Sequence, residues 1–334
     1  MSVSPWYVHG PFLRAAARDP TDMNNWMTDL GHLLHGGRPP RPDSGRQSGS
    51  DVPVHVTTRR AARAEATAPS LNPQPMLRLY LFGPLRAYLG DRAVLDARFP
   101  RRKAKALLAL LYLERGRYIP RDELLEQLWG SDEDLSPESG RLKQTAHILR
   151  RALEQGRSRR TGWEYIVEHD GSYFFNCQAP YSSDLEQLEH ELASAYASQR
   201  RGDVEGALTH FHRAFVMRRS DLLPEFRYDI WATPHVSAEQ EAYLQALEEA
   251  AHLHGMRAEF RRAIDLLRRA VSTDPLRESS AFQLMSWLWR NGESATAIQV
   301  YTRLRDGLAR RLQLEPDART TELYHAIRRD RMLA

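Results

Sequence analysis

Arg141, Lys143, Gln144, His147, Arg150 and Arg151 fall within one short stretch of this chain of 334 residues. Guanidinium and ammonium groups neutralise phosphate, and amide and imidazole tips exchange hydrogen bonds with base edges; such a set suits a duplex, but any solvated helix face carries similar residues, so the context has to decide. Spacing decides whether they can act together. Leu142, Ala146, Leu149 and Leu153 are separated by four, three and four positions and fall in one narrow sector of a helix of about 3.6 residues per turn. A helix over 138–154 therefore buries that stripe and turns Gln144, His147, Ile148 and Arg151 outward. Arg141 lies on one flank of that surface, Lys143 and Arg150 on the other. Pro137 and Glu138 suit its first turn, where a fixed φ and a negative charge are favourable.

Such a helix needs a frame. Upstream, 77–81 alternates apolar residues with Arg78 and Tyr80, and 87–95 follows with Gly90-Asp91 as a hairpin turn, which predicts a small antiparallel sheet. Ala104, Leu107, Leu108, Leu111 and Tyr112 predict a helix over 101–114, and Gly116 ends it. Residues 117–120 read as a turn, with Pro120 leading into a second helix over 121–129. After the acidic loop 130–137, the third helix begins. Downstream, 163–167 and 173–176 flank the turn His169-Asp170-Gly171-Ser172 and form a wing. Two short helices, an exposed third and a hairpin make a winged helix-turn-helix.

Composition narrows the class. The chain is 42% hydrophobic and 27% charged with a net charge of +4, as expected of a globular protein of two or three domains. No apolar run approaches the ~20 residues that cross a bilayer, and the first residues lack a signal-peptide pattern, so a cytoplasmic protein is expected. Arg101, Arg102, Lys103, Lys105, Arg141, Lys143, Arg150, Arg151, Arg157, Arg159 and Arg160 crowd around the proposed reading helix, a field suited to phosphate. The single cysteine, Cys177, excludes an internal disulfide, and His252 with His254 lacks the i, i+4 spacing of a helical metal site. There is no phosphate loop of the G-x-x-x-x-G-K-[ST] type, no Gly-x-Ser-x-Gly elbow and no assembled catalytic set. No enzyme activity, cofactor or metal is expected.

At the ends of the chain the patterns differ. Residues 36–75 are rich in Gly, Pro, Ser, Arg and Ala without apolar periodicity, so 1–75 reads as a largely disordered extension, with one short helical pattern around Trp26, Met27, Leu30, Leu33 and Leu34. From Asp184 the pattern is helical. Ala263, Leu267 and Ala270 recur thirty-four residues later as Ala297, Tyr301 and Leu304, and Ala207, Phe211 and Ala214 repeat the internal spacing, which is the tetratricopeptide (TPR) period. A segment containing Leu222-Leu223-Pro224 and Trp231 interrupts the repeats. The expected fold is mainly α with a small β component. It comprises an extension over 1–75, a winged helix-turn-helix domain over 76–180 and an all-α TPR-like domain over 181–334.

These residues carry a resemblance. Leu79-Tyr80-Leu81-Phe82-Gly83-Pro84, the helix 102–113, Glu123-Leu124 through Leu128-Trp129-Gly130, Leu149-Arg150-Arg151-Ala152-Leu153 and Gly171-Ser172-Tyr173 resemble the DNA-binding domain of SARP-type (Streptomyces antibiotic regulatory protein) activators. Asp274-Pro275-Leu276-Arg277-Glu278, Leu284-Met285, Asn291-Gly292 with Ala297 and Tyr301, and Leu308 through Leu314-Glu315-Pro316 are similar to the bacterial transcriptional activator domain that follows it. Three positions depart from the family: Ile148 stands where Arg is common, Ser172 where a second Gly is usual, and Gln313 where Gly is frequent.

The resemblance implies a sequence-specific transcription regulator, an activator that binds promoter direct repeats as side-by-side copies. It further implies recruitment of RNA polymerase through the loop 130–137, with Asp132, Glu133 and Asp134. Arg141, Lys143, Gln144, His147 and Arg151 are expected in the major groove, Arg101, Arg102, Lys103 and Arg150 on phosphates, and Tyr173 at the wing. The alternative is an adaptor or scaffold whose helical repeats bind protein and whose winged domain no longer reads DNA. Salt dependence of binding to random duplex separates the two.

Overall fold

A computed structural model of the chain describes residues 76–96, 99, 101–130, 140–154 and 162–333. The expectations for the extension 1–75, for Asp132, Glu133 and Asp134, for Pro137 and Glu138 and for Arg157, Arg159 and Arg160 lie outside the described residues.

The alternation of Leu77 and Leu79 with polar neighbours builds β1 (Leu77–Tyr80), which pairs antiparallel with β2 (Arg86–Leu89). Gly90, at φ 59°, turns the chain into β3 (Arg92–Leu95). Helix α1 (Arg102–Leu113) is so apolar that Ala104 through Tyr112 are all buried. It forms the centre of the first domain, touching α3 (Arg141–Leu153), α2 (Arg121–Trp129) and the wing strand β6 (Ser172–Phe175). The segment expected as a turn before α2 contains a short strand, β4 (Ile119–Pro120), paired with β6. Pro120 is tolerated because β4 is an edge strand of this sheet, whose order is β4-β6-β5 with β5 (Ile166–His169) on the other side.

Asp170 and Gly171 join β5 to β6 with φ of 46° and 74°, the two positive values that a tight two-residue hairpin with twisted strands demands. Ser172 lies beyond the turn, in β6, so it needs no glycine.

The first sheet has a fourth strand that the sequence reading lacked. β7 (Tyr181–Ser183) runs parallel to β1, and the order is β3-β2-β1-β7. The next residue already begins α4 (Asp184–Arg200), whose first turn is capped by the Ser183 hydroxyl accepting from the amide of Glu186 at 2.9 Å. No linker separates the winged domain from the helical array.

The array consists of antiparallel pairs: α4 with α5 (Val204–Met217), α6 (Thr233–Met256) with α7 (Phe260–Thr273), α8 (Glu278–Arg290) with α9 (Ser294–Leu312), and α10 (Ala318–Leu333) as the closing helix. Ala207, Ala263 and Ala297 are fully buried at equivalent places in α5, α7 and α9. A methyl group there lets the paired helices approach, and the larger Phe211, Leu267 and Tyr301, one turn on, are buried in turn. Gln313 ends α9 in the left-handed region at φ 58°, a conformation that glycine adopts at least cost.

The interruption between α5 and α6 is a strap that ties the array to the winged domain. Leu223 donates to the Leu81 carbonyl at 2.9 Å, Gly83 donates to the Asp221 carbonyl at 3.0 Å, and Leu85 donates to the Glu225 carboxylate at 3.0 Å. Its own Leu222, Leu223, Phe226 and Trp231 are buried.

Candidate nucleic-acid interface

The apolar stripe of α3 is closed: Leu142, Ala146, Leu149 and Leu153 are all fully buried, against α1 with β3 and α2 at the edges. Arg141, Lys143, Gln144, His147 and Arg151 are exposed, and Ile148 is half-buried among them. One helix face is thereby spent on the core while the other presents two kinds of group, cationic and hydrogen bonding. The geometry suits a helix lying in a groove, with tips reaching base edges and cations at the walls.

Not all of the positive charge counted in the sequence stands on that surface. Arg101 is exposed at the start of α1. Arg102 is committed elsewhere: its guanidinium donates to Asp229 at 2.8 Å and to the Glu225 carbonyl at 3.1 Å, over the ring of Phe226. Lys103 donates to the carbonyl of Leu128 beside the Trp129 ring, and the buried Lys105 faces Glu225 at 3.7 Å. Arg102 and Lys103, both expected on phosphates, thus each have a partner within the chain. Both cations are engaged in holding α1 to its neighbours.

Arg150 also departs from expectation. Its residue is 8% exposed, and Nε donates to the Ile166 carbonyl at 2.9 Å. The guanidinium lies against the rings of Trp163 and Tyr173, 5.6 Å from each centroid, with Glu168 at 3.8 Å. A buried planar cation held by two aromatic rings and a carbonyl is not free to reach a duplex. Tyr173 lies in the wing as expected, but its ring points inward and is 1% exposed, because its register opposite Ile119 and Glu168 places it on the core face of the sheet.

One residue of this region escaped the sequence reading. Glu154, buried just past α3, accepts the amides of Glu164 at 2.7 Å and Tyr165 at 2.9 Å. Glu154 stands one turn beyond Arg150, so both grip the wing from the same side of the helix. An acid at a helix C-terminus opposes the helix dipole, and that anomaly was the available signal. At the wing tip stand the exposed His169 and Asp170, 3.2 Å apart. Among the described residues no group of three or more potential metal ligands occurs, and no helix is long and apolar enough to cross a membrane.

Comparison with known proteins places this architecture. Residues 100–171 match the family described as transcriptional regulatory protein, C terminal, and residues 183–328 match the bacterial transcriptional activator domain. The chain belongs to the SARP-type family of DNA-binding transcriptional activators. Among SARP-type relatives, the regulatory protein DnrI of Streptomyces peucetius is 24% identical over 263 residues, covering 76% of this chain and 92% of DnrI. The regulatory protein AfsR of Streptomyces coelicolor is 30% identical over 254 residues, covering 75% of this chain. The chain spans only 24% of that longer AfsR protein. In three dimensions it resembles Mycobacterium tuberculosis EmbR, solved with a low-affinity phosphopeptide, at a TM-score of 0.63 and 22% identity, over 77% of this chain and 66% of EmbR. That likeness is one of fold, winged domain and helical array together.

Proposed function

We propose that this chain is a sequence-specific DNA-binding regulator of transcription, an activator working in the cytoplasm. One observation carries the reading: α3 buries a complete apolar stripe and leaves Arg141, Lys143, Gln144, His147 and Arg151 exposed beside a hairpin wing. Gln144, His147 and Arg151 take the base edges, with Gln suited to adenine and Arg to guanine, while Arg141, Lys143 and Arg101 take phosphates. The winged domain over 76–180 reads the duplex, and the array over 181–334 supplies contacts with a neighbouring copy or with polymerase. Copies bind side by side on promoter direct repeats, and Asp132, Glu133 and Asp134 face RNA polymerase.

The test is binding at fixed salt to a duplex selected by the wild-type protein from a random pool. Gln144→Ala and Arg151→Ala, each in folded protein, are expected to lose ~1–3 kcal/mol per base contact. Unchanged affinity in both would remove the reading face from α3. Charge reversal at Asp132, Glu133 and Asp134 is expected to abolish transcription while DNA binding persists; transcription that survives it dismisses the polymerase contact.

A further inference from the structure

We infer that Arg150 is a positioning residue, which through Trp163 sets the orientation of His147 on the reading face instead of touching DNA itself. The inference rests on the reading of α3 as the DNA-contacting helix. Three contacts form a chain. Arg150 Nε is fixed by the Ile166 carbonyl at 2.9 Å, so the guanidinium cannot rotate outward without giving up a buried hydrogen bond. Its plane lies under the Trp163 indole at 5.6 Å. Trp163 also meets the His147 imidazole edge to face, with centroids 6.5 Å apart and planes at 82°.

His147 is exposed, and an exposed imidazole ordinarily samples several rotamers, losing that freedom on contact with a base. An aromatic wall on one side removes part of the cost in advance. Glu154 makes the wall rigid, because its carboxylate holds the amides of Glu164 and Tyr165 directly after Trp163. Tyr173 adds a second ring 5.6 Å from the guanidinium. The arrangement needs a planar, stacking cation with a donor in line. Lysine offers charge without the plane.

The proposal separates cleanly from a direct phosphate contact. Binding of the full chain to its selected duplex and to a random duplex of equal length is measured against salt for Arg150→Lys, Arg150→Met and Trp163→Leu, with and without His147→Ala. A positioning role predicts that Arg150→Lys and Arg150→Met each weaken the selected duplex about tenfold relative to the random one, within the range of a single base contact. The slope of log affinity on log salt stays as in wild type. In the His147→Ala background the losses from Arg150→Met and Trp163→Leu shrink toward none, since coupled residues are not additive.

A phosphate contact predicts the opposite: Arg150→Lys near wild type, and Arg150→Met reducing the slope by about 0.9 while weakening both duplexes alike. That result, or full additivity with His147→Ala, overturns the proposal. Should Arg150→Met fail to fold, Trp163→Leu decides alone by the same cycle. A wild-type protein that selects no sequence and binds without salt dependence would instead overturn the reading of α3.

Discussion

Asp184 accepts the main-chain amides of Leu81 at 2.8 Å and Phe82 at 3.1 Å. Leu81 is fully buried and Phe82 nearly so, and both lie where β1 ends and the chain turns toward the strap. The acid is the first residue of α4, so one carboxylate joins the winged domain to the array.

Removing it leaves buried amides unmet. Asp184→Ala is expected to lower the free energy of unfolding by about 2–3 kcal/mol, and Asp184→Asn, which keeps one acceptor, by less. Urea denaturation followed by tryptophan fluorescence measures both. Equal losses for Asn and Ala would show that the acceptor geometry is irrelevant.

A second link between the halves is pH-dependent. His235 in α6 lies 3.1 Å from Glu114 at the end of α1. Its hydrogen bond is the largest influence holding the Glu114 carboxyl below its ordinary value of 4.5. A depressed folded pKa gives stability that is present above pH 4.5 and lost as pH falls through the lowered value. Wild type should exceed Glu114→Gln by about 1 kcal/mol or less near neutrality, and the gap should close on acidification. A gap that widens in acid would contradict this assignment.

Gln313 offers a stabilising change. A side chain in the left-handed region costs about 1–2 kcal/mol, and glycine removes that cost while adding about 0.5–1 kcal/mol of unfolded-state entropy. Gln313→Gly should therefore raise stability by up to about 1.5 kcal/mol, read as an increase in melting temperature. Substitution by Val, which tolerates positive φ poorly, should lower it.

The distribution of cations predicts which of them DNA feels. Lys143→Gln and Arg101→Gln should each reduce the salt slope of binding to random duplex by about 0.9. Arg102→Gln should leave that slope unchanged, because its guanidinium is held by Asp229 and the Glu225 carbonyl. A loss of slope in Arg102→Gln would mean that duplex displaces the strap.

Periodicity made much of this legible. Leu142, Ala146, Leu149 and Leu153 fixed the buried side of α3 by spacing alone, and the alanines at 207, 263 and 297 marked the second helix of each pair because only a small side chain fits there. What stayed hidden was the destination of the charges. Arg102, Lys103, Lys105 and Arg150 look like any basic residue near a reading helix, and their partners Asp229, Glu225 and the carbonyls of Leu128 and Ile166 lie between 16 and 127 positions away. Strand β7 was missed for a related reason, since Tyr181–Ser183 has three residues and finds its place only by pairing with Leu77–Leu79. The segment with Leu222-Leu223-Pro224 read as an interruption of the repeat, and its apolar content makes sense once Leu81, Gly83 and Leu85 supply its hydrogen-bonding partners.

Ser183 belongs to a strand and caps a helix at once, and this leaves no swivel between the reading unit and the repeats behind it. One residue inserted after it would twist the whole array by about 100° around the α4 axis. If copies bind side by side, as proposed above, the same stiffness makes each a pointer whose heading is dictated by the duplex beneath: an extra base pair between neighbouring sites would spin one pointer against the next by about 34°. Promoter geometry would then be heard directly as the angle at which adjacent arrays meet.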